Sequence, residues 1–231
     1  MTPMTGSPRT SPPGPSDEKP RVSIERIRNI VTLAVPTLFS QIDGGRIVCE
    51  SEATLQLHLG RIITTVGDLA IVSPLETFSI ELEKPLNGRA KRGRIDIWFR
   101  LRAGESEWRC ALELKFFKKA NQREPNNRYD VFKDMARLES CADVADIAYM
   151  LVATDHPHYV SHAAYSADTH DFDFRHGQAY AKGTEMTYRT VNPHGPPITL
   201  ANDYAFEWTD GPSALRYLLV EIIPVRDPAG G

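Results

Sequence analysis

The sequence predicts an α/β protein with a mixed central β-sheet flanked by helices. Three observations carry that prediction. Two stretches of amphipathic helical spacing open the ordered part of the chain. An alternating pair of strands joined by a short glycine-containing turn follows. A further helix then leads into a strand that is apolar on both faces. The chain has 231 residues, 41% hydrophobic and 25% charged, which is ordinary globular composition with apolar material enough for a core.

The elements follow in chain order. Residues 1–20 hold six of the seventeen prolines, spaced by Ser, Thr and Gly, and predict a disordered tail. Residues 227–231 are expected to be a flexible end. Between them, 21–226 should form one α/β domain, with its core at about residues 50–155 and additions over 156–226. From Val22, Ile24, Ile27, Ile30, Val31, Val35 and Leu38 recur at helical spacing after Ser23, a plausible N-cap. Pro36 is expected to kink or end this helix, and Gly44-Gly45 to break the chain. A second helix is expected over 52–66, capped by Ser51, with Glu52 and Gln56 one turn apart on one side. Phe78, Ile80 and Leu82 alternate with polar residues as in a half-buried strand. Residues 87–93 read as a basic loop.

Residues 94–102 and 108–117 are the informative segment. The short Gly-containing connection through Ala103-Gly104-Glu105-Ser106 predicts an antiparallel hairpin. Alternation puts Ile95, Ile97, Phe99 and Leu101, with Cys110, Leu112, Leu114 and Phe116, on one apolar face. Asp96, Trp98, Glu113 and Lys115 take the other. A turn centred near Gly104-Glu105 makes paired numbers sum to about 209, which sets Asp96 opposite Glu113 with directly paired Cβ atoms ~5 Å apart. After a polar loop over 118–126, residues 127–142 read as a helix with Val131, Met135, Leu138 and Ala142 on one stripe. Residues 147–152 are apolar on both faces, the pattern of a buried parallel strand, so a right-handed crossover is expected. Residues 155–200 read as irregular and polar, and 215–223 as one more strand.

Composition excludes several classes. The longest apolar run, 147–153, is far too short to span a bilayer, and no charged-then-apolar leader opens the chain. Cys49, Cys110 and Cys141 make neither a disulfide framework nor a CxxC zinc site, so a reduced, cytoplasmic protein is expected. The net charge of -3 hides an asymmetry. Between Arg89 and Arg128 stand twelve basic and five acidic residues, a local +7 against -10 for the rest. A basic field of this kind suits a polyanion-binding face.

Two carboxylates opposed across a hairpin repel unless a cation or proton lies between them. A hard divalent cation takes few carboxylates plus water and phosphate oxygens. Lys115 stands where it can orient or deprotonate a water, or neutralise charge on a phosphate. The competing account is a solvated ion-pair ladder, worth under ~1 kcal/mol. Glu52 alone reads as a first-turn acid on the helix dipole, with Glu50 and Glu81 as competitors for a site role. Asp130, Asp134 and Arg137 read as a salt-bridged helix surface, with Arg137 or Arg128 meeting phosphate as the alternative. Six of seven histidines lie between His156 and His194. They have no helical HxxxH spacing and no cysteine partner, so a solvated loop is preferred to a zinc site.

Asp96, sixteen residues, then Glu113-x-Lys115, with Glu52 upstream and a helix-strand continuation, resembles the PD-(D/E)XK nuclease superfamily and its restriction-endonuclease-like fold. The resemblance covers about residues 50–155, through "GRIDIWF", "CALELKFFKK" and the helix "RYDVFKDMARLE". Ile95 stands where the family's name has proline. The resemblance implies Mg2+-dependent phosphodiester hydrolysis of nucleic acid, DNA before RNA, with Mn2+ able to substitute. It implies catalytic Asp96, Glu113, Lys115 and Glu52, and metal held by Asp96, Glu113, the Leu114 carbonyl and Glu52. Arg89, Lys91, Arg92, Arg94, Lys118 and Lys119 would track the phosphate backbone, and a homodimer is a further expectation. The alternative is a non-catalytic nucleic-acid-binding or protein-interaction module on the same fold.

Overall fold

The computed structural model describes residues 23–86, 93–120, 123–164, 166–209 and 215–226. Both expected ends, and Arg89, Lys91 and Arg92 of the basic loop, lie outside these residues. Helices α1 (Ile24–Asp43) and α2 (Glu52–Leu69) come first. Strands β1 (Glu76–Pro85), β2 (Arg94–Ala103) and β3 (Ser106–Phe117) follow, then α3 (Glu124–Glu139) and β4 (Ile147–Thr154). The C-terminal part adds the short helix α4 (Pro157–Ser161) and two-residue strands β5 (Ala179–Tyr180), β6 (Glu185–Met186), β7 (Ile198–Thr199), β8 (Tyr204–Ala205) and β9 (Trp208–Thr209). It ends on β10 (Arg216–Ile222).

The main sheet has six strands in the order β1-β2-β3-β4-β10-β9. β1, β2 and β3 form an antiparallel meander. α3 then carries the chain to β4, which lies parallel to β3, because a parallel neighbour needs a crossover rather than a turn. β10 closes antiparallel against β4. All eight residues of β4 are buried, as a strand covered on both faces requires.

Each face of the sheet has its own core. On one, Ile27, Val31 and Leu38 of α1 and Leu55, Leu59 and Ile63 of α2 pack on Ile97, Phe99, Leu112 and Leu114. On the other, Val131, Phe132, Met135 and Leu138 of α3 pack on Trp98, Ala111, Ala148 and Val152. α2 reaches the sheet closely because Gly67 is buried there; a Cβ on it would come 2.4 Å from Phe78 Cζ. Phe78 is itself braced against Phe99, ring centroids 5.6 Å apart. Gly67→Ala is therefore expected to destabilise by about 1–3 kcal/mol through overpacking, despite the better helix propensity of alanine. Urea unfolding of the two proteins measures it, and an unchanged midpoint would show that the ring gives way freely.

The structure corrects several expectations. Pro36 does not end α1, which runs seven residues past it to Asp43. α3 starts at Glu124, not 127, with Pro125 in its first turn, where a missing N–H costs nothing. It stops at Glu139, so 140–142 are not helical. Ile95 joins Trp98 and Ala111 in the α3-side core, so the first-strand alternation breaks at its start. The 155–200 segment is irregular but not merely polar. Phe172 and Phe174, with Phe206 and Trp208 beyond it, are buried against α3. Arg128 is 0% exposed. It pairs with Glu124, reaches Asp173 at 3.5 Å and the His162 carbonyl at 2.9 Å, and has no path to a phosphate.

Candidate active site

The hairpin register fixes the centre of the site. Ile97 pairs with Leu112 and Trp98 with Ala111, so the next position sets Asp96 opposite Glu113. There the ladder opens. Asp96 Oδ2 accepts the Leu114 N–H at 2.6 Å. The edge strand twists at the same level: Glu83, facing Asp96, has φ 53°, a left-handed conformation that is costly for a non-glycine residue. Gln56 of α2 ties these pieces together, its Nε2 donating to Glu83 Oε1 at 2.9 Å and to the Asp96 carbonyl at 2.7 Å.

Glu52 arrives from the first turn of α2. Ser51 caps that helix by accepting the Thr54 N–H at 3.2 Å. This fixes the angle at which Glu52 leaves, and its Oε2 accepts the Phe116 N–H at 3.1 Å. Glu52, Asp96, Glu113 and Lys115 are thus brought to one end of the hairpin, and Gln56 with them. Glu50 and Glu81 are not: Glu81 pairs with Lys84 at 2.9 Å, and Glu50 is exposed.

Two further residues come from α3. Asp134, 6% exposed, holds Lys115 Nζ at 2.6 Å. Arg137 Nη2 lies 2.6 Å from Glu113 Oε2 and 3.1 Å from Asp134 Oδ1. Arg137 reaches so far because Gly93 leaves room; a Cβ there would stand 2.9 Å from Arg137 Nη1, and the φ of 141° also demands glycine. Asp134 and Arg137 are not the surface salt bridge the sequence predicts. They border the apolar stripe of Val131, Met135 and Leu138, from where they reach the charges on β3. That bordering position was the available signal. Asp130 does stay outside, bonded to His194 at 3.1 Å.

Burial sets the protonation of this group. Glu113 is 1% exposed. Its carboxyl is pushed up to about 9, burial outweighing the attraction of Arg137, with Asp96 and Asp134 adding repulsion. Its Oε1 is buried without a partner, and so is Arg137 Nε. Asp96 is raised by burial, against the Leu114 N–H and Lys115, which favour its charge. Glu52, exposed as a residue, turns its carboxylate inward, where desolvation raises it against the pull of Lys115. For Lys115, burial acts to lower the pKa, but Asp134, Glu52 and Glu113 together raise it. Fully ionised, Glu52, Asp96, Glu113 and Asp134 against Lys115 and Arg137 leave a net charge of -2.

Hard oxygen donors, four carboxylates against two cations and an orphaned buried carboxylate oxygen fit one divalent cation. Each carboxylate is nevertheless aimed at its own partner rather than at a shared point. Among the described residues, no three His, Cys, Asp or Glu side chains are grouped as a ready metal cage. The histidines do not form one group: His156, His158 and His162 lie side by side, successive ring centroids 5.6 and 5.4 Å apart, whereas His176 Nδ1 accepts the Trp208 N–H and His194 meets Asp130.

Of the predicted phosphate contacts, Arg94 is exposed and only loosely paired, 3.9 Å from Glu83. Lys118 and Lys119 follow β3 directly, and the Lys119 N–H is anchored on Asp155 at 2.6 Å. Trp98 packs, as expected, its Nε1 donating to the Val144 carbonyl at 2.8 Å. Among the described residues no helix is long and apolar enough to cross a membrane. Comparison with family models, curated proteins and solved structures returns no match for this chain.

Proposed function

We propose that this protein is a Mg2+-dependent nuclease, hydrolysing phosphodiester bonds of nucleic acid, DNA by preference, on a restriction-endonuclease-like fold. One observation carries the proposal: a half-buried cluster of four carboxylates and two cations whose deepest carboxylate, Glu113, has an oxygen with no partner. A buried acidic group left in that state needs a proton or a cation. Asp96, Glu113 and the Leu114 carbonyl would hold Mg2+, with Glu52 completing the set and Mn2+ able to replace it. A metal bound there supplies polarisation of the phosphate and a water of lowered pKa.

The chain's own residues do the rest. Lys115, its pKa raised, is an ammonium at neutral pH. It therefore acts as a cation beside the attacked phosphate rather than as a base. Asp134 positions it at 2.6 Å. Arg137 takes the place of a cation beside Glu113 at 2.6 Å and would have to release it for a metal to bind there. Arg94, Lys118 and Lys119, with Arg89, Lys91 and Arg92, would track the phosphates without reading sequence.

Asp134→Asn removes the main support of the Lys115 charge and lowers its pKa. The alkaline limit of cleavage should then move to lower pH, with the rate near pH 6 little changed. A pH–rate profile measures this, and an unmoved limit would show that Lys115 is not the titrating cation.

The direct test incubates purified protein with plasmid, linear and single-stranded DNA in Mg2+, Mn2+ or chelator. Cleavage that needs the metal is expected. A specific observation favours the second reading, a non-catalytic nucleic-acid-binding module: Lys115 and Glu113 each already have a charged partner within the site. Equal DNA binding with metal or chelator, and no cleavage of any form, would establish that reading instead.

A further inference from the structure

A cleft of about 610 Å³ opens in the helical layer between the C-terminal half of α1, the α1–α2 connection and α2. The connection is built to form it. Gly45 takes φ 69°, and the Arg46 and Ile47 N–H groups both donate to the Gln41 carbonyl, at 2.9 and 3.2 Å. The chain thereby folds back over the end of α1 and sets Arg46 on the cleft wall. Arg61 of α2 lines the opposite part. Successive helical residues turn by about 100°. Arg61, nine positions after Glu52, is therefore half a turn round, and the cleft lies on the far side of α2 from the candidate active site.

Its charge is one-sided. Arg46 and Arg61 line the cleft, and no Asp or Glu does. Arg61 Nη1 meets His58 Nδ1 at 3.3 Å; among the described residues neither guanidinium sits against a carboxylate. Two uncompensated guanidiniums on one concavity repel, and an anion between them relieves that. The planar guanidinium fork matches phosphate oxygens two at a time. Ile47 and Ile62 supply an apolar wall beside them. The volume falls in the range that encloses a small organic molecule.

We infer that this cleft binds a small organic phosphate of about mononucleotide size. Arg46 and Arg61 clamp the phosphate, the body of the ligand lies on Ile47 and Ile62, and the Gln41 amide meets its polar edge. The plain rival is that Arg46 neutralises the C-terminal end of α1 and Arg61 is a solvated helix cation. The inference does not rest on the nuclease proposal.

The test is calorimetric titration of the full-length protein in EDTA, which silences any metal-assisted binding. The probes are adenosine 5′-monophosphate, adenosine, inorganic phosphate and a short single-stranded oligonucleotide. The monophosphate is expected to bind at least about tenfold more tightly than adenosine, and more tightly than phosphate alone. Arg46→Gln and Arg61→Gln should each weaken it about tenfold, the loss expected for one charge-assisted contact. Both positions are exposed, so unchanged melting temperatures will show that the variants fold. Lys115→Met should bind like the parent, which separates this cleft from the active site. No monophosphate binding at millimolar concentration overturns the inference, as does binding that survives the double substitution. So does phosphate binding as well as the nucleotide. An oligonucleotide that needs both arginines where the monophosphate does not bind would make the cleft a nucleic-acid track instead.

Discussion

A Lys115→Met protein should cleave DNA at least about a hundredfold more slowly than the parent, the loss typical of one removed electrostatic or proton-transfer group. It should still bind Mn2+, because every proposed ligand remains. The expectation comes from the Lys115 ammonium lying 2.6 Å from Asp134 among four carboxylates, with its charge secured at neutral pH. Removing it adds one negative charge to a site that must accept a negatively charged phosphate. Asp96→Asn should act differently. It removes a ligand's charge, so metal affinity and rate fall together. The Lys115 change also breaks a buried pair, which can cost several kcal/mol. Arg137, 3.1 Å from Asp134, limits that cost, and the Lys115→Met/Asp134→Asn pair removes both charges at once. Cleavage rates, calorimetric Mn2+ affinity and melting temperatures of the variants separate the outcomes. Parent-like cleavage by Lys115→Met would place any activity elsewhere in the chain. Slow cleavage by a protein that also melts early, with the rate restored in the double variant, would assign Lys115 a purely structural role.

The strands of the site were legible because a hairpin turn fixes a register and a register fixes who faces whom. The pairing of Ile97 with Leu112 is the one that a turn at Gly104-Glu105 dictates, and Asp96 opposite Glu113 follows by arithmetic. β4 was legible for a similar reason: an uninterrupted apolar run in a strand has only one explanation, cover on both faces. The α3 contribution was not. On a helix, a residue at the border of the apolar stripe can turn to solvent or to a neighbour, and local spacing does not choose. Asp134 and Arg137 turn inward because the C-terminal half of β3 presents Glu113 and Lys115, charges that attract them. That is a tertiary fact. Ile95 failed on the same ground, since β2 begins beyond the Glu83 twist, where alternation no longer maps onto the flat faces of the sheet. The aromatic cover from Phe172 to Trp208 was hidden because no regular period organises it.

Glu113→Gln should make the metal-free protein more stable, and increasingly so as pH rises. The folded carboxyl titrates at about 9, against 4.5 for the free group. Between those values the folded state keeps a proton that the unfolded state has released. Stability then falls as pH rises, by at most about 1.4 kcal/mol per unit, because the unfolded state binds fewer protons. The loss begins above about pH 4.5 and is complete above about pH 9. Asp96 and Glu52 are raised as well and add slope of the same sign, whereas Glu76, lowered to about 2 by Arg26, contributes the opposite sign at acid pH. Those groups are common to both proteins, so the difference between parent and variant isolates Glu113. Near pH 5 the two should unfold at similar urea concentrations. By pH 8 the variant should lead, with a ceiling of about 3–5 kcal/mol that the Arg137 contact at 2.6 Å reduces. Mg2+ should close the gap by stabilising the parent alone, since a cation on Glu113 replaces the proton and the glutamine cannot hold it. A variant less stable than the parent at every pH would mean that Glu113 is ionised and that its pairing with Arg137 is structural. Glu113 would then be held by Arg137 and not left for a metal, and the nuclease proposal would lose the observation that carries it.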